Sequence, residues 1–341
     1  LSLIQPTTDY ADLSDADLIV EAVFEDADVK AKVFRRLDEV AKPGAILASN
    51  TSTLDLDAIA AHTKRPADVI GMHFFSPANV MKLLEVVRGK HTAPDVIATA
   101  MAVGKQIGKV SVLVGNCDGF VGNRMVQYYA TEAQRLVIEG ASIEQVDKAA
   151  LDFGLAMGPF AMGDLAGLDV MGFIRARRVA AGLIYGTPLS DRIDPARKGQ
   201  KTGRGWYRYE TGNRTPLPDP DVTAVVDAYR AERGITPRAI SNEEIRKRLI
   251  YSLVNEGAKI LEEGMALRAG DIDIVYIYGY GFPAWRGGPM KFAELSGLDN
   301  VLADISRYHA DAVAAGDADG AYWEPAPLLQ RLVSVGQKGF A

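Results

Sequence analysis

At about 150 residues per domain, a chain of 341 residues is predicted to form two or three domains. Its 48% hydrophobic and 24% charged residues exclude a disordered, collagen-like or coiled-coil protein. The 44 acidic against 38 basic residues leave a net charge of −6, which argues against a broad nucleic-acid footprint while allowing a local basic patch for a phosphorylated ligand.

No apolar run reaches the roughly 18 residues of a membrane span. Cys117 is the single cysteine, so no internal disulfide forms and a reducing compartment is expected. Cys117 itself reads as a small inert core residue. The first residue is Leu1, and no charged segment leading into an apolar stretch follows it, so the sequence reads as a fragment or processed chain.

The first 115 residues alternate strand-like and helix-like patterns, which predicts a parallel α/β sheet. Asp17 to Val23 reads as a buried strand. Val29, Val33, Phe34, Leu37 and Val40 then form a helical stripe that Pro43-Gly44 stops. Further strands are expected at 45–48, 69–75, 83–87 and 109–114, with a helix from about Pro94 to Ile107. From Asp118 the texture turns helical, with Phe120, Met125, Tyr128, Tyr129, Ala133 and Leu136 on one face and Gly140 as a left-handed cap.

Residues 186–222, with Pro188, Pro195, Pro216, Pro218 and Pro220, read as a linker wrapping between two helical units. Those units resemble each other. Ala133–Gly140 (AQRLVIEG) matches Gly257–Gly264 (GAKILEEG), Gly167-Leu168-Asp169 matches Gly297-Leu298-Asp299, and Gly158-Pro159-Phe160 loosely matches Gly281-Phe282-Pro283. The offset grows from 124 to 130 residues, so a duplicated helical domain with small insertions is expected; two unrelated helix pairs with common caps are the plainer reading.

Four polar positions stand at strand ends or helix starts, where open sheets bind ligands. They are Ser52, His73, Glu85 inside an apolar strand, and Asn123 at the opening of the long helix. Each has a structural reading too: Ser49–Ser52 as a helix cap, His73 as a hydrogen-bonded core histidine, Glu85 pointing outward from an edge, Asn123 as a first-turn polar residue. Together they suit the oxidation of an alcohol. A carboxylate on one imidazole nitrogen fixes the tautomer, the other nitrogen takes the hydroxyl proton, and Ser52 and Asn123 hold the oxygen while hydride leaves for a nicotinamide.

The motifs that hold these residues resemble the 3-hydroxyacyl-CoA dehydrogenase family. They are Val20-Glu21-Ala22-Val23-Phe24-Glu25, Ala48-Ser49-Asn50-Thr51-Ser52, Gly71-Met72-His73-Phe74-Phe75-Ser76-Pro77, Met81 to Val87, Asp118 to Arg124 and Met157 to Phe160. Lys201 to Tyr207 and a second helical copy from Ser241 to about Leu332 are similar to the multifunctional β-oxidation enzymes. The resemblance implies an incomplete Rossmann-type α/β domain (1–116), a first helical domain (117–212), a linker (213–240) and a second homologous helical domain (241–341).

It also implies NAD-dependent oxidation of (S)-3-hydroxyacyl-CoA to 3-oxoacyl-CoA. His73 is then the general base, Glu85 its partner, and Ser52 and Asn123 the groups on the 3-oxygen. Glu25, Lys30, Asn50 and Ser52 line NAD, and no metal is involved. The acyl-CoA thioester is expected between the α/β part and the first helical domain. A thiolase subunit, an upstream enoyl-CoA hydratase half, and a monomer or a dimer through the helical domains belong to the same implication. The bacterial cytoplasm is the expected compartment, with the peroxisome as alternative.

A Gly-x-Gly-x-x-Gly loop, whose amides approach a dinucleotide pyrophosphate, does not occur in the sequence. The family carries roughly eighty residues before the position of Leu3, with that loop in them, so little turnover of acetoacetyl-CoA with NADH is expected from the 341 residues alone. Two rival readings are another β-hydroxyacid dehydrogenase with Lys82 as base, and a non-catalytic scaffold of a β-oxidation complex. Lys198, Lys201 and Arg204 read either as a CoA-phosphate contact or as a solvated linker.

Overall fold

The computed structural model describes residues 3–180, 182, 189–316 and 318–340; Leu1 and residues 186–188, Pro188 among them, lie outside these. Contact clustering divides the chain into two compact units, Leu1–Arg124 with Ile260–Tyr280, and Met125–Lys259 with Gly281–Ala341.

The first unit holds a five-stranded sheet: β1 (Leu18–Glu21), β2 (Ile46–Ser49), β3 (Val69–Phe74), β4 (Leu83–Arg88) and β5 (Val110–Gly115), in the order β1-β2-β3-β4-β5. Helices α1 (Ala27–Val40), α2 (Leu56–Ala60) and α3 (Pro94–Gln106) connect them. All five expected strands form, but the sheet is not parallel throughout. β4 runs antiparallel to β3, and β5 is parallel to β4. The chain between Phe74 and Leu83 has no room for a crossover helix, so it can only turn back. α3 covers one face, packing Val96 and Ala100 on Ile70, Met72, Leu84 and Val86.

α1 starts where the Asp26 carboxylate accepts from the Val29 amide. Its buried face is Lys30, Ala31, Phe34 and Leu37, so the expected stripe is shifted: Val29 is exposed and a lysine takes the inward place.

The remaining helices are α4 (Gly122–Glu139), α5 (Ile143–Phe153), α6 (Pro159–Ala166), α7 (Leu168–Ala180), α8 (Pro220–Glu232), α9 (Asn242–Glu262), α10 (Ala269–Gly279), α11 (Pro289–Ser296), α12 (Leu298–Ala314) and α13 (Pro327–Ser334). α4 to α7 repeat as α9 to α12. α5 and α10 are both 11 residues long and carry buried Asp147 and Asp273 at the same position. α6 and α11 are both 8 residues and open on Gly-Pro. The counterpart of Gly158-Pro159-Phe160 is therefore Gly288-Pro289-Met290, not Gly281-Phe282-Pro283. The extra residues lie in the turn after Gly264 and in the 281–287 segment that holds Trp285.

Gly140 ends α4 at φ +143, outside the left-handed helical well expected of a cap. A side chain there would strike the backbone of Arg238, whose amide donates to the Glu139 carbonyl at 2.8 Å.

The expected linker is corrected as well. Residues 213–240 contain α8, which buries Val222, Val226 and Tyr229. The stretch before it buries Leu189, Trp206 and Tyr207, and the Asp164 carboxylate holds the last two by accepting from the amides of Trp206 (2.8 Å) and Tyr207 (3.0 Å). Lys201 pairs with Asp169 at 2.5 Å and Arg204 with Asp221 at 3.1 Å, so two of the three basic residues are committed to carboxylates of the same unit.

Candidate active site

β3 and β4 decide the centre of the site. Their antiparallel register sets His73 directly opposite Glu85. His73 Nδ1 and Glu85 Oε2 are 2.8 Å apart, and both residues are buried, Glu85 completely. The second carboxylate oxygen, Oε1, accepts from the Gly122 amide at 2.9 Å, at the start of α4. Held at both oxygens, the carboxylate fixes Nδ1 as the protonated ring nitrogen and leaves Nε2 to accept a proton.

The turn before α4 closes around this pair. Phe120 sits at φ +51 and is fully buried, with its ring 5.8 Å from the His73 ring; Phe75 lies 4.6 Å away on another side. A non-glycine residue at positive φ costs energy and persists only where its surroundings hold it. Here the Phe120 amide donates to the Cys117 carbonyl and the Cys117 thiol donates to the Phe120 carbonyl at 3.2 Å. Burial pushes the Cys117 thiol up, partly offset by Arg124, which agrees with an inert cysteine.

At the carboxyl ends of β1 and β2 lies a second polar set. Glu25 Oε1 accepts from the Thr51 hydroxyl (2.7 Å) and from the amides of Ser52 (2.8 Å) and Thr53 (2.9 Å). Burial disfavours the Glu25 charge, but these hydrogen bonds and the Lys30 ammonium at 3.4 Å outweigh it and hold the carboxyl below its usual range. Asn50 Oδ1 accepts from the Phe74 amide at 2.8 Å and so ties β2 to the residue after His73. Asn123 Nδ2 faces the Ser52 carbonyl at 3.4 Å.

Six of the expected site residues, Glu25, Asn50, Ser52, His73, Glu85 and Asn123, thus converge in one unit. Lys30 stands in the same unit, with its ammonium 3.4 Å from Glu25. It is 1% exposed and its ammonium donates to Glu21 at 2.7 Å, so it braces the crevice from beneath. Lys82 is exposed ahead of β4, where its carbonyl accepts from the Val110 amide.

Three further participants escape the sequence reading: Glu21, the Gly122 amide and Tyr280. The Tyr280 hydroxyl donates to Asn123 Oδ1 at 2.7 Å across 157 residues of chain. No local pattern marks it. Among the described residues, no group of three or more His, Cys, Asp or Glu side chains could hold a metal ion, and no helix is long and apolar enough to cross a membrane.

Comparison with known proteins identifies the family. A family model described as 3-hydroxyacyl-CoA dehydrogenase, NAD binding domain, matches residues 1–117. The model for the C-terminal domain of the same family matches twice, at 119–209 and 245–341, which accounts for the helical repeat. The chain is similar to the peroxisomal bifunctional enzyme of Danio rerio, 47% identical across 98% of this chain and 48% of that protein. It is also similar to the fatty acid oxidation complex subunit alpha of a Shewanella species, at 35% across 98% of this chain and 46% of that one. The chain therefore spans about half the length of the curated relatives it matches. Among solved structures, 3-hydroxybutyryl-CoA dehydrogenase from Escherichia coli superposes with a TM-score of 0.80 at 25% identity, covering 97% of this chain and 84% of that one. The dehydrogenase part of multifunctional enzyme 1 from C. elegans gives 0.67 at 33% identity, covering 95% and 73%.

Proposed function

This chain belongs to the 3-hydroxyacyl-CoA dehydrogenase family, and from that premise we propose that it holds the catalytic residues for NAD-dependent oxidation of (S)-3-hydroxyacyl-CoA to 3-oxoacyl-CoA. The observation that carries the proposal is the buried His73–Glu85 pair at 2.8 Å.

His73 Nε2 takes the proton of the 3-hydroxyl group. As the imidazole gains charge, Glu85 stabilises it through Nδ1–H without itself accepting the proton. Asn123 and Ser52 hold the 3-oxygen and stabilise it as it becomes a carbonyl. NAD, when bound, supplies the hydride acceptor. The residues present fit its nicotinamide-ribose end: half-buried Glu25, Asn50 and Ser52 stand together at the carboxyl ends of β1 and β2, the usual ligand side of such a sheet. Lys30 belongs to the same cofactor-lining set, and its ammonium also holds Glu21 and Glu25 in place.

The wider assignments are part of the same proposal. Residues 1–116 form the cofactor part, and 117–212 and 241–341 are two homologous modules; the two family matches support this division. The whole protein also carries enoyl-CoA hydratase activity, which the word bifunctional in the relatives' names supports, and assembles with a thiolase subunit as a monomer or a dimer through its helical modules. Its compartment is the bacterial cytoplasm, with the peroxisome as the alternative that the vertebrate relatives favour.

The test compares His73→Ala with Lys82→Ala in the full-length protein, by NADH-dependent reduction of acetoacetyl-CoA. Loss of a general base is expected to lower kcat by about 10²–10⁴-fold in the histidine variant and to leave the lysine variant unchanged. The reverse pattern would transfer the base role to Lys82 and refute the proposal.

A further inference from the structure

We propose that Tyr280, contributed by the second helical copy, is a positioning residue that fixes which way the Asn123 amide points, so that the second copy completes the site of the first. This rests on the dehydrogenase reading above.

An asparagine side chain offers one acceptor and two donors, and turning it over exchanges them. To hold the 3-oxygen of a substrate, Asn123 must present N–H. Two neighbours specify that orientation. The Tyr280 hydroxyl donates to Oδ1 at 2.7 Å, and the Ser52 carbonyl accepts on the Nδ2 side at 3.4 Å. With Oδ1 so engaged and one N–H turned to the Ser52 carbonyl, the other N–H is left to the substrate.

The tyrosine is itself held firmly. Its ring stacks on Tyr276 at 4.9 Å and 21°, and meets Phe75 edge-on at 5.6 Å and 82°. It also closes on Gly122, where an added Cβ would lie 2.6 Å from the ring, so only glycine leaves room for it. That same Gly122 amide binds Glu85. Burial, reinforced by the Glu85 charge, keeps the Tyr280 phenol well above its usual range, so its proton remains available to donate.

The segment that carries Tyr280 belongs to the compact unit of the sheet. Gly115 donates its amide to the Met265 carbonyl at 2.7 Å, and Val114 bridges Ala266, in the turn where the second copy has gained residues over the first. Residues 260–280 of a helical repeat are thereby fastened to β5, beside the strand that bears Glu85.

Tyr280→Phe tests the proposal, because it keeps the ring and removes only the hydroxyl. In the 341-residue chain labelled with ¹⁵N-asparagine, the Asn123 side-chain amide signal, identified by its loss in Asn123→Asp, is expected to shift and its two protons to interchange faster. Ring packing alone would leave that signal unmoved. In the NADH-dependent assay of the full-length protein, kcat is expected to fall about 3- to 10-fold, the rate equivalent of one neutral hydrogen bond, with KM nearly constant. Tyr278→Phe, at an exposed position near the end of α10, serves as the control. An unchanged Asn123 amide signal in folded Tyr280→Phe overturns the proposal whatever the turnover; so does wild-type kcat in that variant while His73→Ala is inactive. Full activity in His73→Ala would instead sink the dehydrogenase reading.

Discussion

Replacing Glu85 by Gln removes a charge and one acceptor while keeping the side chain's size. In the native protein the two carboxylate oxygens serve two donors, His73 Nδ1–H at 2.8 Å and the Gly122 amide at 2.9 Å. A glutamine has one oxygen to offer. If it serves Gly122, its NH₂ faces His73, Nδ1 becomes the acceptor, and Nε2 carries the proton, which disables it as a base. If it serves His73, two donors oppose each other in a fully buried place, at a cost of about 1–3 kcal/mol. Losing the charge-assisted bond to the developing imidazolium also raises the barrier by roughly 1.5–3 kcal/mol, a factor of about 10 to 150. The expected result in the full-length protein is therefore a fall of about 10²-fold in kcat with little change in KM for acetoacetyl-CoA. The ¹⁵N shifts of the His73 ring give a second measure that needs no turnover: Nδ1 protonated in the native chain, Nε2 protonated in the variant. Native kcat together with an unchanged tautomer would refute the reasoning.

The second unit provides two stability tests. Burial raises the Asp147 carboxyl to about 6 from 3.8; the amides of Phe160 and Ala161 and the Tyr207 hydroxyl pull it down, and nearby Asp164 pushes it further up. The folded state then keeps a proton that the unfolded chain releases, so this group's contribution is full below about pH 4 and is lost as pH rises through about 6. Asp147→Asn should thus gain on the native protein by up to about 3 kcal/mol between those limits, read by urea unfolding at each pH; a difference that does not vary with pH would contradict it. Glu132 is fully buried and accepts from Arg248 Nε, the Tyr322 hydroxyl and Trp323 Nε1. Arg248→Met removes the closer of that carboxylate's two arginine partners, leaving Arg135 at 3.7 Å, and is expected to cost about 3 kcal/mol, with much of the loss recovered in the double variant with Glu132→Gln. A single variant as stable as the native protein would show that the pair contributes nothing.

Much of the site was legible in the sequence because its parts sit on short, strongly patterned elements. A histidine and a glutamate inside apolar strands, a serine past a strand and an asparagine at a helix start are visible as polar exceptions, and the family resemblance supplied their roles. The sequence gives the position of Lys30 on α1 but neither the depth of the face it occupies nor its pairing with the buried Glu21. The reading of 213–240 as a linker followed prolines and glycines. These set local backbone conformation, whereas the placing of Trp206 and Tyr207 upstream depends on a distant acid, Asp164.

By itself the sequence determined the five strands, the helical repeat and the identity of the chemical groups, since hydrophobic period, caps and residue type are local properties. Tertiary structure decided the antiparallel β3–β4 register that sets His73 opposite Glu85, and it brought Tyr280 to Asn123. The physical reason is the length scale. Strand direction follows from whether a connection can cross the sheet, and a hydrogen bond across 157 residues forms only when two remote surfaces have already packed.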